Sequence, residues 1–150
     1  MPTIPENVYR QVEKRIRTRY TAVQKAELAL YRAQQRAASA SSPPTDQPSA
    51  RSSAPGSRVE RAVLNVLRAE ERLETARAWE EQLRLLDRIF TPDTPEGRAA
   101  EMVFNRGYDK TNAARILKCS RETLARRLDA YVCHAALFAA AAGLIEIREE

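Results

Sequence analysis

The stretch NAARILKCSRETLARRL, Asn112 to Leu128, decides how this chain is read. Two short apolar patterns are separated by Lys118-Cys119-Ser120, and the second carries Arg121, Arg126 and Arg127. Serine is a preferred helix cap, because its hydroxyl accepts a first-turn N–H. The spacing predicts a short helix of about Thr111 to Leu117, a turn at Lys118-Cys119, and a second helix capped by Ser120 and running through Tyr131. Two such helices joined by a tight turn make a helix-turn-helix.

The side chains fit that geometry. Ala114 is small where the helices must cross closely, and Leu117, Cys119, Leu124 and Leu128 supply apolar contacts to fix the crossing. At about 100° per residue, Leu128 and Tyr131 share the face of Leu124. Glu122 and Arg126 then point away, with Ala125 and Asp129 near them, and Arg121, Thr123 and Arg127 flank. Arginine can take guanine bidentately, and glutamate can accept from a cytosine amino group. Arg121, Glu122, Thr123, Arg126 and Arg127 are therefore the candidates for base edges. Lys110, Arg115, Lys118 and Ser120 are the candidates for phosphates, helped by the free N–H groups of a helix N-terminus.

Charge supports a polyanionic partner. The formal net charge is +5 over 150 residues. Residues 106–127 hold seven Lys/Arg against Asp109 and Glu122, whereas residues 59–97 hold six Lys/Arg and nine acids. A basic cluster on a short segment suits nucleic acid. Ala, Arg, Glu and Leu dominate, there are only 4 Gly, and no segment sustains strand alternation, so the expected fold class is all-α.

Four regions follow along the chain. Residues 1–38 read as a basic N-terminal region, with one helix over 4–38 whose apolar stripe includes Tyr9, Val12, Ile16, Val23 and Leu30. Residues 39–57 hold seven Ser and four Pro and read as a flexible linker. Residues 58–91 carry a second long helix, from about Ser57 to Phe90, with Trp79 at one edge of its stripe. Residues 92–150 hold a helix capped by Thr94 and stopped near Gly107, then the helix-turn-helix and an Ala-rich run at 135–145. The linker permits the two long helices to fold back as a hairpin without obliging them to. The Ala-rich run can pack on the long helix or at a dimer interface.

Residues Ala113-Ala114, Leu117, Lys118, Cys119, Ser120, Thr123-Leu124, Arg126 and Leu128 resemble the pattern IA..LG.S..TV.R.L, the helix-turn-helix of sigma-factor region 4. Lys118 stands where that pattern has Gly, and Cys119 where it has Val or Ile. With Ser57, Val59, Glu60, Ala62, Val63 and Tyr108, the chain over about 57–145 also resembles the RinA/ArpU-like phage transcriptional regulators. The resemblance implies promoter DNA as ligand and activation of late phage genes.

Other chemistries find no support. Cys119 and Cys133 make neither a disulfide framework nor a zinc site. His134, the only histidine, has no partner at ligand spacing, and Trp79, Tyr108 and Tyr131 read as packing residues. No phosphate loop or nucleophile motif is present, so no enzyme activity, metal or cofactor is expected. The start of the chain has no apolar signal core, and the longest apolar run is shorter than the roughly 20 residues a bilayer requires. The expected setting is the bacterial cytoplasm, away from membranes. The expected partners are double-stranded DNA, a second copy of the chain (a dimer first) and RNA polymerase. The alternatives are a phage small terminase subunit binding packaging-site DNA, and a helical adaptor that binds no nucleic acid.

Overall fold

A computed structural model describes residues 4–40 and 55–147. Among these residues the protein is all-α: six α-helices and no strand. They are α1 (Glu6–Arg17), α2 (Arg19–Ala40), α3 (Pro55–Ile89), α4 (Pro95–Ala100), α5 (Lys110–Ile116) and α6 (Arg121–Ala141). The Ser/Pro linker expected at 39–57 falls mostly at 41–54, outside the described residues. Its ends are helical, since α2 continues through Ala40 and α3 starts at Pro55.

The single helix expected over 4–38 is two. It is interrupted at Thr18, which has neither Pro nor Gly beside it. The Thr18 hydroxyl donates to the Lys14 carbonyl at 2.8 Å, the local competition that disfavours threonine inside helices. The next residue, Arg19, is almost wholly buried, and its guanidinium meets Asp87 at 2.8 Å and Glu80 at 3.4 Å.

The chain divides into two compact units. Residues up to Tyr20 and from Ala78 onward form one, and Thr21–Arg77 form the other. In the first unit, Val8, Val12 and Ile16 of α1 share a core with Leu83 and Leu86 of α3, Ala99 of α4, and Leu124, Leu128 and Val132 of α6. Trp79, expected at an edge, is buried in this core, with the Arg15 guanidinium 5.5 Å from its ring centre. Ala135, Ala136 and Ala139 belong to the same cluster, so the chain itself covers the Ala-rich face without a second copy.

The second unit is an antiparallel helical hairpin. Glu27 pairs with Arg77 at 3.5 Å, and residues 29–40 of α2 line one groove with residues 58–69 of α3. Ala69, Leu73 and Ala76 are its buried positions on α3. Val23, Ala26, Leu30, Ala33 and Ala37 of α2 are half-buried at the expected three- and four-residue steps.

The helix expected to run to Arg106 begins as predicted. Thr94 caps it by accepting from the Gly97 N–H at 3.1 Å, with Pro95 in the first turn. After Ala100 it widens into one π-helical turn, Glu101–Asn105, closed by the Arg106 N–H donating to the Glu101 carbonyl at 3.0 Å. Gly107 then takes a φ of 74° and ends it.

Candidate nucleic-acid interface

The candidate interface consists of α5, the turn at 117–120 and the first turns of α6. Asp109 caps α5, accepting from the Asn112 N–H at 2.7 Å. The helix stops at Leu117, and Lys118 takes a φ of 54°. The Lys118 N–H then donates to the Arg115 carbonyl at 3.2 Å and the Cys119 N–H to the Ala114 carbonyl at 3.0 Å. That pair of bonds is a Schellman motif, which normally takes Gly at the left-handed position. Here a lysine occupies that left-handed position.

Ser120 caps α6 by accepting from the Thr123 N–H at 3.1 Å, and its own hydroxyl donates to Thr123 Oγ1 at 2.9 Å. What Ser120 leaves for an anion is therefore the backbone of the first turn, where the Arg121 and Glu122 N–H groups come before Leu124, whose N–H makes the first intrahelical bond, to the Ser120 carbonyl at 3.0 Å. Thr123 Oγ1 accepts from Ser120, which frees its own proton to donate outward.

Leu124 and Leu128 are completely buried, each contributing about 1.5–3 kcal/mol. Ala113 and Ala114 are also buried, while Leu117 and Cys119 are half-buried against the same core. With this face held inward, Arg121, Glu122 and Arg126 are exposed, and Thr123 and Arg127 are half-exposed on the flanks. Of the phosphate candidates, Lys110, Arg115, Lys118 and Ser120 are all exposed.

The open face is short, and tertiary structure limits it. The Tyr9 hydroxyl of α1 donates to Asp129 Oδ1 at 2.7 Å, and the Tyr131 hydroxyl donates to Asp87 Oδ1 of α3 at 3.0 Å. From Asp129 onward α6 is tied to its own core. Burial and the bond to Asp129 raise the Tyr9 pKa well above the usual phenol value. Burial, with Asp87 beside it, does the same for Tyr131. Burial alone would lower the Arg19 pKa, but Asp87 more than offsets it and the pKa is raised. Arg19, Asp87 and Tyr131 thus form one charged node under the second half of α6. Sequence reading misses it, because residues 19, 87 and 131 have no local relation.

No family model, no curated protein and no solved structure matches this chain. Two further cations come from α4 and the turn after it. Arg98 and Arg106 line a cleft of about 600 Å³ with Met102, Ile116 and Lys118. Arg106 also lies 3.7 Å from Glu101. Cys119 and Cys133 are free thiols, and the described residues contain no His/Cys/Asp/Glu group able to hold a metal ion. His134 packs edge-on to Phe90 with ring centres 4.9 Å apart, and its Nδ1 lies 2.8 Å from the Ala130 carbonyl oxygen. Among the described residues no helix is long and apolar enough to cross a membrane.

Proposed function

We propose that this chain binds double-stranded DNA sequence-specifically and regulates transcription, with α5, the turn and α6 as its reader. One observation carries the reading. Glu122 and Arg126 stand four residues apart on the exposed side of α6 and make no ion pair. Elsewhere the same spacing closes, as in Glu6–Arg10 at 2.7 Å, Glu13–Arg17 at 3.0 Å and Glu80–Arg84 at 3.7 Å. The acceptor of Glu122 and the fork of Arg126 are left for a partner, and Arg121 and Arg127 beside them pair with no described residue either. A helix of this kind fits a major groove, where the residues near its N-terminus reach base edges. Lys110, Arg115 and Lys118 would hold flanking phosphates and set register. The resemblance to phage late-gene activators supports promoter DNA as the target, with a second copy and RNA polymerase as further partners in the host cytoplasm.

Selection of bound sites from a random duplex pool tests this. An enriched site is expected, with the reader's share of the log–log salt slope near −4.5 for about five neutralised phosphates. On that site Arg121→Ala or Arg126→Ala should cost roughly 1–3 kcal/mol and relax preference at one position. Equal losses on every sequence would remove the base-reading role.

The α2–α3 hairpin favours a second reading, a small terminase subunit, which also joins a helical hairpin to a helix-turn-helix. Solution mass separates the two: a dimer supports the regulator, and a closed ring of about eight or more copies supports the terminase.

A further inference from the structure

The cations of the hairpin are not scattered. Arg32 and Arg36 stand four apart on α2. On α3, Arg58, Arg61, Arg68 and Arg72 follow at intervals of three, seven and four. At about 100° per residue, each set falls on one flank of its helix. All six are exposed, and none pairs with any described residue. Arg36, Arg58 and Arg61 line a groove of about 660 Å³ between the two helices, with Asn65 beside them. Ala29, Ala33, Ala62 and Ala69 also line it.

Within the hairpin's part of α3, residues 58–77, the acids lie elsewhere around the helix. Glu70 and Glu74 are opposite Arg61, and Glu60 and Glu71 are about a quarter-turn away. The acid of α2, Glu27, is engaged with Arg77. An ordinary solvated helix face alternates sign, whereas this flank carries one sign across two helices.

The chemistry of the groove selects its occupant. Protein partners bind chiefly through large apolar or aromatic anchors in pockets, and the apolar residues lining this groove are all alanine. A phosphodiester backbone needs only charge, because counterion release supplies the affinity. Each cation here is arginine, whose planar fork matches phosphate oxygens two at a time. We infer that the arginine-lined groove of the α2–α3 hairpin is a second duplex-binding surface, which holds the phosphate backbone without reading sequence. This deepens the proposed function and rests on it for the choice of duplex as the polyanion.

The test uses the full chain and a random-sequence duplex, followed by fluorescence anisotropy across a salt series. Arg36→Gln/Arg58→Gln/Arg61→Gln should make the log–log salt slope shallower by about 2.7, for three lost phosphate contacts. Helical circular dichroism should be retained, and so should the ratio of selected-site to random-site affinity. The matching triple lysine variant should recover most of the slope, which a folding defect would not allow. A triple glutamine variant with the slope and affinity of the unaltered chain would overturn the inference. So would displacement of the duplex by poly-glutamate at equal charge, since the groove would then be a protein site. Arg121→Ala/Arg126→Ala should instead abolish site preference and leave the hairpin's share of the slope. If preference survives that change, the reading of α6 fails while the groove stands. If the unaltered chain ignores every duplex at low salt, both fall.

Discussion

Lys118 shows how much one residue can hold against its own preference. A left-handed backbone costs a non-glycine residue about 1–2 kcal/mol, and Lys118 accepts that cost to complete the two hydrogen bonds that end α5. Lys118→Gly should therefore stabilise the fold by about 0.5–1 kcal/mol, less than the full strain because glycine also loosens the unfolded chain. A urea midpoint raised at constant slope is the expected result; an unchanged or lowered midpoint would mean the lysine stem makes up the difference by packing. If Lys118 holds a phosphate, the same change makes the salt slope of duplex binding shallower by about 0.9. The position of the turn was legible in the sequence, because Ser120 and the flanking leucines have a local periodic meaning. Which candidates stay open was less legible, since Thr123 and Arg127 are half-buried while Arg121, Glu122 and Arg126 are exposed.

Among the elements, α4 depends on a close backbone approach at its first turn. A Cβ on Gly97 would collide with the carbonyl oxygens of Thr91 and Phe90, both backbone atoms that cannot swing away. The Thr94 cap brings these atoms close: its hydroxyl donates to the Thr91 carbonyl at 2.7 Å while accepting from the Gly97 N–H. Gly97→Ala should destabilise the protein by about 2–3 kcal/mol, as overpacking against an unyielding neighbour does. Thermal melting checks this, and a variant melting within a degree of the unaltered chain would show that the turn can open. The sequence gives Thr94, Pro95 and Glu96 their places but does not explain Gly97, whose reason lies in a close approach across the turn. Nor does periodicity reveal the interruption at Thr18, because the apolar stripe of residues 8–16 and that of residues 23–37 continue each other in phase. They differ only in destination: the first enters one core and the second belongs to the hairpin.

Over the whole first unit, two tyrosine–aspartate bonds fasten α6. Tyr9 meets Asp129 and Tyr131 meets Asp87, and both phenols have raised pKa values because of burial and the adjacent carboxylate. In the unfolded chain they ionise near pH 10, so above that pH the unfolded state binds fewer protons than the folded one. Stability then falls as pH rises, from about pH 10 upward. Melting temperatures at pH 9 and pH 11 should show the loss, and Tyr9→Phe/Tyr131→Phe should flatten it. If the double variant falls as steeply, these two phenols are not the source.

Sequence alone determined that the chain is helical and where the capped turns fall. It also gave the face of α6 that turns inward, because capping chemistry and the 3.6-residue period are local properties. Only tertiary structure decided how much of the opposite face stays open, which arginines find partners, and where the Ala-rich run and Trp79 are covered. Those outcomes depend on contacts such as Tyr9 with Asp129 and Arg19 with Asp87, between residues 120 and 68 positions apart. A one-dimensional pattern holds no record of such meetings, since burial and ion pairing are settled by which surfaces come together.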